Sequence, residues 1–266
     1  MNKYTKANLA LWEGWTDINK NSGLYRLDEF KAGKNVLKSI ELDELPDVSG
    51  KSMLHLQCHF GMDTLSWARM GADITGIDFS PKAIALAKSL SEECSIPARF
   101  IRSELFDLPN VLDEEFDIVF TSYGVLTWLG DIEKWAEIVA RYLKPGGIFY
   151  MVEFHPLFGS IDDDGENLKY PYFYSPEPMK FNDDGNYADP DADFKSDSYE
   201  WSQSIGEVVT ALIKAGLKIE FLHEFPYSTC KGAPCLVESE PRRFVLEKYP
   251  GLLPLVYSVR ATKPSL

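Results

Sequence analysis

Three short stretches of this chain concentrate side chains that can do chemistry. Leu54-His55-Leu56-Gln57-Cys58-His59-Phe60-Gly61 is a short apolar run that passes into a turn ending in glycine. Gly76-Ile77-Asp78-Phe79-Ser80 sets a carboxylate 17 residues after Gly61. Ser103-Glu104-Leu105-Phe106-Asp107 follows a third apolar stretch. Ligands of open α/β sheets bind beyond the carboxyl ends of the strands, so three strand ends in this order would converge on one crevice. A carboxylate after the second strand can accept from both hydroxyls of a ribose. One after the third can accept from an adenine amino group. Gly61, Asp78 and Glu104 therefore describe a nucleoside pocket.

The elements needed to place them are legible. Ser52 to Gln57 reads as a strand, and Asp63 as the cap of a helix that runs through Met70 and stops at Gly71. Asp73 to Phe79 is a second strand. Ser80-Pro81 starts a helix, with Ser as N-cap and Pro at the first helical position, and Ile84, Ala87, Leu90 and Cys94 share one face. Arg99–Ser103, Phe116–Ser122 and Ile148–Glu153 are strands three to five. Between the last two, Asp131 caps a helix with Trp135, Ile138, Val139 and Tyr142 on one face, ended by Lys144-Pro145-Gly146-Gly147. Ser202 is placed as the cap of a further helix carrying Ile205, Val208, Val209, Leu212 and Ile213, with Gly216 as its stop. Leu217–Leu222 and Leu253–Val259 are strands six and seven. Strands alternating with helices predict a doubly wound, mostly parallel seven-stranded sheet covered on both faces.

Composition narrows the function. The 266 residues fit one large domain, with residues 1–50 as a helical cap and 51–266 as the main domain. Lys and Arg total 27 against 41 Asp and Glu, a net charge of −14. No basic block is present, which speaks against nucleic acid and an anionic membrane as partners. No apolar run is long enough to span a bilayer. Met1 to Ala10 has no signal-peptide core, and the four cysteines are scattered, so a reduced, cytoplasmic setting is expected. Residues 156–200 are acidic but also rich in Tyr and Phe, which predicts an ordered lid or antiparallel extension with its acids outward. Those acids lack calcium-loop spacing. His55, Cys58 and His59 have no second cluster at zinc-site spacing, so no metal is expected. A nicotinamide dehydrogenase would need close backbone approach to a pyrophosphate, which bulky Gln57 and His59 oppose.

Taken together, residues of about 50–153 resemble the class I S-adenosylmethionine-dependent methyltransferases, including the run Thr121-Ser122-Tyr123-Gly124-Val125-Leu126-Thr127-Trp128-Leu129 and the later Leu143-Lys144-Pro145-Gly146-Gly147. The first motif departs from that family's pattern. His55 stands at the expected acid, Gln57 and His59 replace two glycines, and Gly61 remains. The resemblance implies a Rossmann-like fold, S-adenosylmethionine as cofactor and S-adenosylhomocysteine as product. It implies cofactor contacts from Gln57, Cys58, His59, Phe60, Gly61, Asp63, Asp78, Phe79, Ser80, Ser103, Glu104, Leu105, Thr121, Ser122 and Tyr123, with Gln57 and Asp63 supplying polar contacts to the methionine part. The expected partner is a small-molecule methyl acceptor, with a homodimer left open. Trp12, Tyr25, Trp128 and His155 are candidate acceptor contacts, His155 the candidate base, and Tyr123 or His59 the residue that positions the acceptor. The competing reading is a catalytically silent module that binds the cofactor or a partner protein.

Overall fold

Three helices, α1 (Lys3–Asn21), α2 (Leu27–Lys31) and α3 (Ser39–Glu44), precede the first strand. The computed structural model describes residues 1–45 and 47–265. Strand β1 (Ser52–Leu56), α4 (Met62–Arg69), β2 (Asp73–Asp78), α5 (Pro81–Glu93), β3 (Arg99–Arg102), β4 (Phe116–Thr121), α6 (Ile132–Tyr142) and β5 (Leu143–Phe154) then alternate. A one-turn helix, α7 (Pro156–Gly159), leads into the hairpin β6 (Met179–Asp184) and β7 (Lys195–Glu200). Helix α8 (Ile205–Lys214), β8 (Lys218–Phe225), the hairpin β9 (Leu236–Glu240) and β10 (Arg243–Leu246), and β11 (Val256–Thr262) complete the chain.

The main sheet has the order β3-β2-β1-β4-β5-β11-β8. Strands β1 to β5 pair in parallel, and β11 runs antiparallel to both β5 and β8. The expected doubly wound, mostly parallel seven-stranded sheet is therefore present. Alternation along the central strands sends successive residues to opposite faces. Leu54, Val119 and Phe149 meet Trp135 and Val139 of α6 and Leu212 of α8. Met53, Phe120 and Tyr150 meet Ile40 of α3 and Trp67 of α4. Each large side chain buried this way contributes about 1.5–3 kcal/mol.

Local signals explain most helix starts. Ser80 accepts from the Ala83 N–H at 3.0 Å and Asp131 from the Lys134 N–H at 2.9 Å, as their sequence positions predict. Two caps differ. Gly61, at φ +78°, precedes α4, and Asp63 sits in its first turn, because the chain leaves β1 in a left-handed turn. Ser204, not Ser202, caps α8, since Glu207 closes a reciprocal capping box with it. Ile213 of α8 is exposed, so that helix presents a narrower apolar face than its sequence suggests. Strands six and seven lie a few residues later than predicted, at β8 and β11. The β9–β10 hairpin has no counterpart among the strands read from the sequence.

Candidate functional site

Sheet order reverses between β1 and β4, and the crevice beyond their carboxyl ends is where a ligand is expected. The turn after β1 holds three residues in the left-handed region: Gln57 at φ 55°, His59 at 51° and Gly61 at 78°. The backbone of a glycine-rich turn is thus kept where two glycines are absent, at a cost of about 1–2 kcal/mol for each non-glycine residue. Gly61 is fixed for a second reason. A Cβ there would lie 2.7 Å from the Phe100 ring and 3.1 Å from Ala87. The turn is bonded to the next strand: the Cys58 N–H donates to the Ile77 carbonyl at 2.8 Å, and the His59 N–H to Asp78 Oδ2 at 2.9 Å. Asp78 Oδ1 accepts the Ser80 N–H at 2.9 Å. Burial pushes the Asp78 carboxyl up to about 6, against the pull of the Ser80 and His59 N–H groups. Each oxygen keeps a lone pair for a further donor.

His55, in the place of an acid, is buried and bridges two elements. Its Nδ1 meets Thr64 Oγ1 at 2.8 Å on α4, and its Nε2 meets Ser122 Oγ at 3.1 Å after β4. Burial lowers its pKa to about 3, so the ring is neutral and no charge stands where an acid would bring one.

Beside it, Gln57 Oε1 and His59 Nε2 are buried without a hydrogen-bond partner among the described residues. Asp63 faces the same space. Burial raises its carboxyl, partly offset by the Lys38 ammonium. Unmet polar atoms next to a carboxylate fit the amino-acid end of an S-adenosylmethionine-like ligand. At the other end Glu104 accepts the Phe106 N–H at 2.8 Å, and burial raises its carboxyl.

The turn after β1, His55, Asp63, Asp78 and Glu104 border one cavity of about 1480 Å³. That exceeds the usual range for a single small ligand, about 300–1,000 Å³. Every residue singled out in the sequence borders it except Ser80 and Thr121. Ser80 is fully buried, caps α5 and donates its hydroxyl to Glu13 of α1. Thr121 is fully buried inside the sheet, opposite Leu56 and Met151. Cys58 and Phe60 line the cavity from the packed layer beneath it, and burial pushes the Cys58 thiol well up.

His155 needs correction as a base. Its Nδ1 accepts the Leu157 N–H at 3.0 Å, which leaves Nε2 to donate to Glu224 at 2.8 Å. Both ring nitrogens are occupied, and the side chain caps α7. Tyr123 instead has a proton acceptor. Its hydroxyl donates to Glu41 Oε2 at 2.8 Å, and burial pushes that carboxyl up to about 7.

Sequence reasoning passed over several residues that shape the site. Glu153, a lone acid at the end of an apolar strand, accepts N–H donors from Gly124, Val125 and Leu126 and so fixes the turn that carries Tyr123 and Trp128. Its position in a buried strand was a visible signal. Glu13, Tyr187 and Glu200 carry no local signal, because each works across long sequence separations, whereas Glu41 also accepts the Lys38 N–H at 2.6 Å at the start of α3. The roof joins α1 to the β6–β7 segment. Asn8 Nδ2 donates to the Tyr199 carbonyl and its Oδ1 accepts the Tyr199 N–H, both at 2.8 Å. Trp15 Nε1 donates to the Gly185 carbonyl at 3.2 Å. Trp12 packs edge-on against Trp15, His59 and Trp128, with centroids 5.1–5.5 Å apart. Tyr25 packs on Phe60 at 4.8 Å, and its hydroxyl bonds that of Tyr187.

No group of three His, Cys, Asp or Glu side chains is arranged to hold a metal ion among the described residues. No helix among them is long and apolar enough to cross a membrane.

Comparison with known proteins agrees with this geometry. Residues 54–151 match a family model described as a methyltransferase domain. An uncharacterised methyltransferase from Synechocystis is 34% identical over 125 residues, 46% of this chain and 56% of that protein. A ubiquinone biosynthesis O-methyltransferase from Pseudomonas syringae is 31% identical over 155 residues, 55% of this chain and 62% of that protein. The chain thus spans a little over half the length of these relatives. A solved S-adenosylmethionine-dependent methyltransferase from Methanosarcina mazei aligns over 86% of this chain and 99% of its own, at 18% identity and a TM-score of 0.59, which is a likeness of fold. Residues 54–151 thus match a methyltransferase domain, on a fold shared with solved S-adenosylmethionine-dependent methyltransferases.

Proposed function

We propose that the protein transfers a methyl group from S-adenosylmethionine to a small-molecule acceptor. The observation that carries this is the turn at Gln57, His59 and Gly61, which keeps a glycine-like backbone and anchors Asp78 at the switch crevice. In this reading Asp78 accepts the ribose hydroxyls, Glu104 the adenine amino group, and Leu105 and Phe79 frame the adenine. Gln57 Oε1 and His59 Nε2, which lack partners among the described residues, take the amino-acid end together with Asp63. Bound there, the cofactor supplies an already activated methyl group, so the chain's own task is alignment and exclusion of water. The cap formed by residues 1–50 and the insertion of 156–200 act together as a lid over the acceptor. Tyr123 positions the acceptor. For a hydroxyl or amine acceptor, the Tyr123 oxygen takes the acceptor's proton as its own passes to Glu41, whose carboxyl burial keeps near 7. His155 holds α7 and the wall beside it rather than moving a proton.

The test is calorimetry with S-adenosylhomocysteine and, as control, NAD. Wild type binds the first and not the second. Asp78→Ala removes a charged acceptor worth about 1.5–3 kcal/mol per hydrogen bond, so affinity falls at least tenfold. Unchanged affinity would refute the ribose assignment.

A further inference from the structure

The wall of the cavity facing the strand ends is built by α1 and one face of the β6–β7 hairpin. Charges on that hairpin segregate by face. Asp184 and Asp197, on the outer face, pair with Lys195 at 2.6 Å and Lys180 at 2.7 Å. Met179, Phe181, Asp183 and Glu200 lie on the other face and border the cavity. Glu200 accepts the Thr127 hydroxyl at 3.0 Å, and Asp183 Oδ2 is buried without a hydrogen-bond partner among the described residues. Neither acid is in an ion pair among those residues.

Among the cationic side chains that border the cavity, Lys134 lies over the Phe106 ring at 4.8 Å, at the Glu104 end, and Arg26 and Lys34 pair with Glu29. Lys38, Lys231 and Arg242 also border the cavity, Lys38 donating to the Val36 carbonyl at 2.8 Å, and none of them is paired with Glu200 or Asp183 among the described residues. The residue after Thr127 is Trp128, whose ring meets Trp12 at 5.5 Å, and both border the same cavity. A buried carboxylate without a cation is unfavourable, and an indole face attracts one. Burial raises both carboxyls, against the pull of the Ser198 hydroxyl on Asp183 and the Thr127 hydroxyl on Glu200.

We propose that this wall recognises an ammonium group of the methyl acceptor, with Glu200 as its carboxylate partner, Asp183 as a second acid nearby, and Trp12 and Trp128 as its aromatic sides. This rests on the methyltransferase reading above and adds the acceptor's chemical class to it. The ammonium anchors the acceptor and is distinct from the step at Tyr123.

The experiment is a titration of full-length protein, with and without saturating S-adenosylhomocysteine, using 2-phenylethylammonium, 2-phenylethanol and 3-phenylpropionate. The ammonium should bind at least about tenfold more tightly than the alcohol, and the carboxylate not measurably, as a charge-assisted hydrogen bond in a buried site requires. Glu200→Gln, which keeps an oxygen for Thr127, should abolish that preference. Asp183→Asn should reduce it about threefold. S-adenosylhomocysteine affinity should stay within about twofold in both variants, because neither touches the cofactor end. Equal binding of ammonium and alcohol, or a preference that survives Glu200→Gln, overturns the inference. If wild type fails to bind S-adenosylhomocysteine, the methyltransferase reading fails instead.

Discussion

The two ends of the cavity are held by different kinds of contact. At the end proposed for the nucleoside, Asp78 and Glu104 each accept the backbone N–H two residues on, from Ser80 and Phe106, and Asp78 ties in the turn after β1 through the His59 N–H. At the end proposed for the acceptor the contacts cross the chain. Asn8 bonds Tyr199, Glu41 bonds Tyr123, and Tyr25 meets Tyr187. Local bonds make a pocket that forms with the sheet itself. Long-range bonds make a roof that depends on the docking of distant segments, and elements that open for ligands are drawn from the low-stability end of a fold. Altering the roof should therefore change acceptor handling before it changes cofactor binding.

Glu153 is the sharpest place to test this, since it binds the turn that links the two ends. Glu153→Ala strands the N–H groups of Gly124, Val125 and Leu126 in a buried site. Each hydrogen bond to a charged acceptor is worth about 1.5–3 kcal/mol, and with partial compensation by water a loss of about 3 kcal/mol is expected. Thermal melting should drop by roughly 6–12 °C. S-adenosylhomocysteine binding, measured below the new midpoint, should fall far less than in Asp78→Ala. Equal losses in the two variants would merge the two ends into one unit.

The same division explains what the sequence revealed. Ser80-Pro81, Asp131 and the strand runs are local signals, and they place β1 to β4, α5 and α6 closely, while β5 begins already at Leu143 and takes in the Lys144-Pro145-Gly146-Gly147 stretch read as a helix stop. Gly61, Asp78 and Glu104, read from strand ends alone, all border the cavity. Glu13 and Glu200 could not be read, because their partners are brought close only by folding: Glu13 meets Ser80 and Glu200 meets Thr127. His155 misled for a related reason. A histidine after a strand suggests a base, but the nearby Leu157 N–H and the distant Glu224 occupy both nitrogens. Asp63 misled because a left-handed Gly61 set the helix start ahead of it.

A pH comparison probes the acceptor end. Burial raises the Glu41 carboxyl from an ordinary 4.5 to about 7. A raised carboxyl favours the folded state fully below pH 4.5, and that contribution is lost as pH rises through 7. Glu41→Gln has no proton to lose. The stability difference between variant and wild type should move toward the variant between pH 5 and pH 8, by on the order of 2 kcal/mol. Paired melts at the two pH values read it directly. A difference independent of pH would mean that Glu41 stays ionised beneath Tyr123.

Roof closure itself is tested at Gly14. A Cβ there would lie 2.1 Å from the Phe194 ring, so α1 and the insertion approach closely at that point. Gly14→Val should prise them apart. Limited proteolysis should then cut within 160–200 about tenfold faster, equivalent to about 1.4 kcal/mol of closure, with S-adenosylhomocysteine affinity little changed. Cleavage at the wild-type rate would show that the insertion is held independently of the cap.

The smallest expected effect lies at the amino-acid end proposed for the cofactor and bears on why Gln57 stands where a glycine would serve. Its backbone is left-handed at φ 55°, which glycine adopts freely. Its side chain gives one hydrogen bond, from Nε2 to the Val125 carbonyl at 3.2 Å, and leaves Oε1 buried without a partner among the described residues. Gln57→Gly relieves about 1 kcal/mol of backbone strain and removes the buried orphan, while losing a bond of about 1 kcal/mol. The ligand-free protein should therefore melt at or slightly above the wild-type temperature, by at most about 3 °C. If Oε1 is the acceptor for the cofactor's amino group, S-adenosylhomocysteine should bind about fivefold more weakly even though the protein is no less stable. Opposite signs in the two measurements identify a residue kept for binding at the expense of stability. Unchanged or tighter binding would mean that Gln57 serves only to tie the turn to Val125, and the amino-acid end would then rest on His59 and Asp63.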